Sequence, residues 1–146
     1  MRLGDGANLV ACLLTSLYGV DGSITGETFN RAGKTDILVK YQSEAVFVAE
    51  CKIWSGVKDY LAAIDQLLKY LTWRNSRTAI LLLVKNRDLT QVIASVREAT
   101  EKHANYVRAL PDASPTWLNY AIRLKDDRTR EANMAVMLFS VPSELD

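Results

Sequence analysis

Three side chains in residues 33–54, GKTDILVKYQSEAVFVAECKIW, are of the types that hydrolytic chemistry uses: Asp36, Glu50 and Lys52. The stretch has the pattern of two apolar strands joined by a short polar turn. Asp36 falls in the first strand and the triplet Glu50-Cys51-Lys52 in the second. Strand side chains alternate between faces, so Glu50 and Lys52 are expected on one side and Cys51 on the other. Two carboxylates on neighbouring strands can share a hard divalent cation through their oxygens. An ammonium beside them orients a water or neutralises charge on a phosphate under attack. The competing reading is an acid and a lysine paired structurally on an ordinary strand. Against it stands the apolar setting, Ile37-Leu38-Val39 and Ala45-Val46-Phe47-Val48-Ala49, where a buried charge is costly unless paired or bound to metal.

The elements that must hold these residues follow from periodicity and turn signals. Residues 7–18, ANLVACLLTSLY, are dense enough in apolar side chains for a largely buried helix, with Asp5 as cap and Gly19 as stop. Strands are expected over 24–31, 34–41 and 44–53, turning at Gly33-Lys34 and Gln42-Ser43 to form an antiparallel meander. Ser55-Gly56 breaks the pattern. An amphipathic helix is predicted over 58–73, with Leu61, Ile64, Leu67, Leu68 and Leu71 at helical spacing and Gln66 and Tyr70 four apart on one face. The continuous apolar run RTAILLLV at 77–84 suits a central strand covered on both faces. A second helix is predicted over 89–103, then a strand over 106–110, a loop over 111–115, and strands over 117–125 and 133–141 across a turn at 126–131.

The acid, the hairpin and the acid-x-lysine triplet resemble the PD-(D/E)xK nuclease superfamily, the restriction-endonuclease-like fold. Thr35 stands where the superfamily's name places a proline. The segment Gln66-Leu67-Leu68-Lys69-Tyr70 is similar to the Gln-x-x-x-Tyr element on the helix after the triplet in RecB-like members. The resemblance covers about residues 7–84. It implies an α/β fold whose restriction-endonuclease-like core has a central mixed β-sheet flanked by helices in the order αβββαβ. Residues 85–146 would then be a C-terminal α/β extension of one nuclease-like domain spanning 1–146, with room for further domains or a homo-oligomer. By the same resemblance Asp36 and Glu50 hold a Mg2+ ion, for which Mn2+ can substitute, and the backbone carbonyl of Cys51 adds a ligand. Lys52 positions the attacking water or stabilises the phosphate, and Gln66 and Tyr70 orient these groups. Superfamily members often carry a further acid on the first helix. Residues 7–18 contain none, so Glu27, on the strand expected beside Asp36, is the third metal-ligand candidate.

The expected activity is metal-dependent hydrolysis of phosphodiester bonds, in DNA because that is the family's usual substrate, by an endonuclease. The alternative is a non-catalytic nucleic-acid or protein-binding module that retains the fold. A net charge of +1 announces no strong non-specific nucleic-acid binder and leaves that alternative open, although a local basic rim is invisible in the sum. At 146 residues, 49% hydrophobic and 24% charged, the chain suits one domain with a sizeable core. Cys12 and Cys51 suggest neither a disulfide framework nor a metal cluster, and they suit a reducing cytoplasm. No apolar run reaches membrane-spanning length, so no membrane partner is expected. His103, the sole histidine, reads as a helix-end residue rather than a zinc ligand. Trp117, Tyr120 and Ile122 read as core or sheet cover rather than a base-stacking platform.

Overall fold

The apolar run Arg77–Val84 forms the strand against which the rest of the main sheet assembles. The computed structural model describes residues 24–31, 34–41, 47–71, 77–85, 88–125 and 127–140, with side chains described from Ala49 onward. The helix expected over 7–18, its cap and stop, and the turn at Gln42-Ser43 lie outside the described residues. In chain order the elements are β1 (Ile24–Arg31), β2 (Lys34–Tyr41), β3 (Phe47–Ile53), α1 (Val57–Tyr70), β4 (Arg77–Val84), α2 (Leu89–Glu101), β5 (Tyr106–Ser114), β6 (Trp117–Arg123) and β7 (Glu131–Ser140). This is an α/β architecture whose main sheet has the order β3-β4-β7-β6-β5. β3, β4 and β7 run parallel, whereas β6 and β5 run antiparallel to their neighbours. β1 and β2 form an antiparallel hairpin, and β2 lies alongside β3.

β4 is buried from Thr78 to Val84, as a strand covered on both faces must be. Its two faces enter different clusters. Ile80, Leu82 and Val84 pack with Tyr60, Ile64 and Leu67 of α1, Val92 and Val96 of α2, and Tyr120, Ile122, Met134 and Val136 of the sheet. Ala79, Leu81 and Leu83 join Ala49, Cys51, Ala135 and Met137 on the opposite side. α1 sits where it does because Tyr60, Ala63, Ile64, Leu67 and Leu68 recur on one face, and each large side chain removed from water there contributes roughly 1.5–3 kcal/mol. α2 starts at Asp88, whose side chain accepts from the Gln91 N–H at 3.0 Å.

The differences from expectation have local causes. α1 ends at Tyr70, three residues short of the expected 73, because Leu71 turns to extended backbone and stays buried. α2 ends at Glu101 instead of 103, and Lys102 and His103 close its end with hydrogen bonds to Ala99 and Thr100 carbonyls. Residues 111–114 were expected in a loop but continue β5. Pro111 fits there because β5 is an edge strand with no ladder on its outer side, and the register with β6 shifts between Leu110 and Ser114. β6 ends at Arg123 instead of 125 and β7 begins at Glu131 instead of 133, because Ile122 pairs with Ala132 and Arg123 with Glu131; residue 141 lies outside the described residues. The last third also supplies the strand at the middle of the sheet. After β4 the chain crosses through α2 to the far edge, returns through β5 and β6, and lays β7 between β6 and β4.

Candidate active site

β3 is a short strand at one end of the main sheet, and its register fixes the direction of its side chains. Glu50 stands beside Ile80 and Lys52 beside Leu82, both members of the helix-side core, whereas Cys51 packs with Ala79 and Leu81 on the other face. Alternation therefore turns Glu50 and Lys52 to the side that α1 and α2 cover. Glu50 is only 3% exposed, and Lys52 Nζ lies 3.5 Å from its Oε1 with the lysine side chain 17% exposed. A carboxylate this deep is a costly element in any fold, because transfer from water disfavours its charge by several kcal/mol after relaxation. The ammonium offsets part of that cost and leaves a hard oxygen donor set into the sheet.

Asp36 lies on β2 opposite Phe29 of β1, and Glu27 lies on β1 opposite Leu38. Their side chains lie outside the described residues, as does the expected approach of Asp36 to Glu50. What the backbone provides is the adjacency of β2, which carries Asp36, to β3, which carries Glu50. Among the described residues no group of three or more His, Cys, Asp or Glu could hold a metal ion. Glu50 is one buried carboxylate of the kind a hard cation takes; Cys51 shares β3 with it, Asp36 lies on β2 and Glu27 on β1.

α1 follows β3 directly and covers the face that Glu50 and Lys52 share. Gln66 and Tyr70 are both half-buried on it, and Gln66 Nε2 donates to Tyr70 Oη at 3.0 Å. Their polar ends are thus held to one another along one flank of the helix. The turn before it from Asp65 is anchored from outside: Asp65 Oδ1 lies 2.7 Å from His103 Nε2, while His103 Nδ1 accepts from the Asn105 N–H at 3.0 Å. An acceptor at Nδ1 leaves the ring proton on Nε2, so the histidine donates to Asp65. His103 does stand just past the end of α2, as its sequence position suggested, but its partner on α1 was not visible from sequence.

A second buried polar group was also missed. Tyr60 Oη and Thr100 Oγ1 lie 2.7 Å apart, and Thr100 Oγ1 donates to the Val96 carbonyl at 2.6 Å, so Tyr60 is the donor to Thr100. Tyr120, fully buried nearby, has a hydroxyl that makes no hydrogen bond among the described residues. Burial pushes the ionisation of Tyr60 well above the ordinary tyrosine range, with the Thr100 bond opposing. Burial likewise raises Tyr120, with the Arg97 cation opposing. The available signal was a tyrosine and a threonine at core positions of two amphipathic helices. Tyr120 and Ile122 lie in the helix-side core, and Trp117 is half-buried on the opposite face.

No protein family, curated protein or solved structure matches the chain. Among the described residues no helix is long and apolar enough to cross a membrane.

Proposed function

We propose that the chain is a metal-dependent nuclease of the PD-(D/E)xK type, an endonuclease acting on DNA. One observation carries the reading: a carboxylate buried to 3% exposure, Glu50, with an ammonium two residues along the same strand and face, Lys52. The chain order around it adds support, because three strands, a helix and a parallel strand follow in succession from β1 to β4. Asp36 and Glu50 would hold Mg2+ or Mn2+, with the Cys51 carbonyl and Glu27 as further oxygens. A divalent ion bound there supplies a water of lowered pKa and charge to offset that of the phosphate. Lys52 orients the attacking water or stabilises charge building on the phosphate oxygens, and its burial strengthens that interaction. Gln66 and Tyr70, tied to each other at 3.0 Å, orient Lys52 or a phosphate oxygen from the helix above.

The 3.5 Å contact between Lys52 and Glu50 also favours a second reading, in which the pair is structural and the domain binds a nucleic acid or protein without cutting. Incubation with circular DNA, linear DNA and RNA in Mg2+, in Mn2+ and in chelator separates the two. The nuclease reading expects nicking of circular DNA in either metal, none in chelator, and none by Glu50→Gln in any condition. Intact substrates in every metal condition, from folded protein, would leave the structural reading in its place.

A further inference from the structure

On the face of the main sheet opposite the helices, the described residues divide into a buried apolar cluster and a group of exposed side chains. On its exposed part the alternation of β4, β5, β6 and β7 gathers arginines. Leu118, Tyr120 and Ile122 of β6 enter the helix-side core, so Asn119, Ala121 and Arg123 take the other face. Register then fixes their neighbours: Arg123 stands opposite Glu131, Asn133 opposite Ala121, Arg77 beside Asn133 and Arg108 opposite Ala121. Arg77, Arg108, Arg123, Glu131 and Asn133 are all exposed. With strands about 4.8 Å apart, the three arginines start within roughly 10–15 Å of one another across one flat surface.

Of the described acids beside them, Glu131 and Asp127 are both engaged. Glu131 accepts from Arg108 at 3.0 Å, and Asp127 holds the hairpin turn by accepting from Thr129 N–H and hydroxyl and pairing with Arg130. Arg77 and Arg123 make no ion pair, and neither do Lys125 and Arg128 in the adjoining hairpin loop, among the described residues. Among the described residues, six cations (Arg77, Arg108, Arg123, Lys125, Arg128 and Arg130) thus meet two acids, Asp127 and Glu131, at one end of the sheet, in a protein whose net charge is only +1. We infer that this surface, centred on Arg77, Arg108 and Arg123 with the Asn133 amide between them, binds the phosphate backbone of a nucleic acid. Guanidinium forks pair with phosphate oxygens bidentately, and an exposed amide adds a neutral donor. The surface lies on the face opposite Glu50 and Lys52, with two strands between β3 and β6, so it holds the polymer at a distance from the candidate active site. The choice of a nucleic acid over an acidic protein rests on the nuclease reading; the surface and its charge do not.

The test is binding of the full chain to labelled single-stranded and duplex oligonucleotides in chelator, by fluorescence anisotropy across a salt series. The triple variant Arg77→Gln, Arg108→Gln, Arg123→Gln alters exposed side chains only and is checked by its melting curve. It should lose at least roughly tenfold in affinity, with a slope of log affinity against log salt that is shallower by about 2–3. A control removing equal charge from the helix side, Lys58→Gln, Lys69→Gln, Lys102→Gln, should keep the wild-type slope. Unchanged affinity and slope in the arginine variant, equal losses in the lysine control, or polyglutamate competing as well as DNA would each overturn the inference. Folded wild type that binds the oligonucleotides in chelator but leaves every substrate intact in Mg2+ and in Mn2+ would refute the nuclease reading alone, since binding is read without metal.

Discussion

Two of the buried polar groupings on the helix-covered face of the sheet differ in what the fold needs from them. Under α1 and α2, Tyr60 donates to Thr100 and Thr100 donates to the Val96 carbonyl, a neutral chain that closes on backbone. On β3, Glu50 and Lys52 put opposite charges 3.5 Å apart, with the carboxylate buried beside a strand that enters the apolar core. Hydroxyls that satisfy one another contribute about 1 kcal/mol per bond and are ordinary core components. A buried ion pair commonly does no better than apolar side chains of the same size, so packing alone does not explain its presence. On the proposed reading the neutral grouping serves stability and the charged one chemistry.

The largest expected effect lies on the charged side. Lys52→Met should lower cleavage by about two orders of magnitude or more, in line with losing one charge contact to the transition state. It should also destabilise the metal-free protein by about 3 kcal/mol, because it removes the cation 3.5 Å from a carboxylate that stays buried. Added Mg2+ should recover part of that loss in a thermal melt, since a divalent ion replaces the missing charge. An unaltered melting temperature with and without Mg2+ would break the distinction between the groupings.

On the neutral side the order of two substitutions is the informative quantity. Thr100→Val leaves the buried Tyr60 hydroxyl without its acceptor and should cost about 1–3 kcal/mol, whereas Tyr60→Phe leaves Thr100 bonded to Val96 and should cost about 1 kcal/mol. The double variant should cost less than the sum. Alkaline melts sharpen this further. Burial raises the folded-state ionisation of Tyr60 above its ordinary value of 10.0, so folding binds the proton more tightly. The stabilising contribution is complete below pH 10 and declines as pH rises beyond it, because the unfolded chain ionises first. Tyr60→Phe should flatten that decline, and cleavage per folded molecule should stay at the wild-type level.

These contrasts also mark what sequence makes legible. The strand over 77–84 is readable because a bare apolar run of that length between polar flanks has one natural home, the middle of a sheet. The shared face of Glu50 and Lys52 follows from alternation alone. The position of β7 between β4 and β6 does not, since pairing between distant strands leaves no periodic mark, and β5 runs through Pro111 only because it is an edge. His103 finds Asp65 across 38 residues, a contact that becomes available once α1 and α2 are packed. At the candidate site, the triplet and its helix are local signals, whereas Asp36 sits on a separate hairpin whose side chains lie outside those described.

Smaller effects test the periphery. Gln66→Ala should lower cleavage roughly tenfold while changing stability by less than about 1 kcal/mol, because its bond to Tyr70 is half-buried and lies within one helix. A large stability loss with normal activity would make the pair structural. Arg97→Gln removes an ion pair whose members are 42% and 36% exposed, and should cost no more than about 1 kcal/mol, vanishing at high salt.

Calorimetric titration of Mg2+ and of Mn2+ into the wild type and into Glu50→Gln, with cleavage measured on the same samples, tests the central claim most directly. Glu50 as a metal ligand predicts saturable binding by the wild type, weakened by at least roughly tenfold in Glu50→Gln, with cleavage lost in parallel. Identical titrations for the two proteins, or no divalent-ion binding by folded wild type, would contradict it.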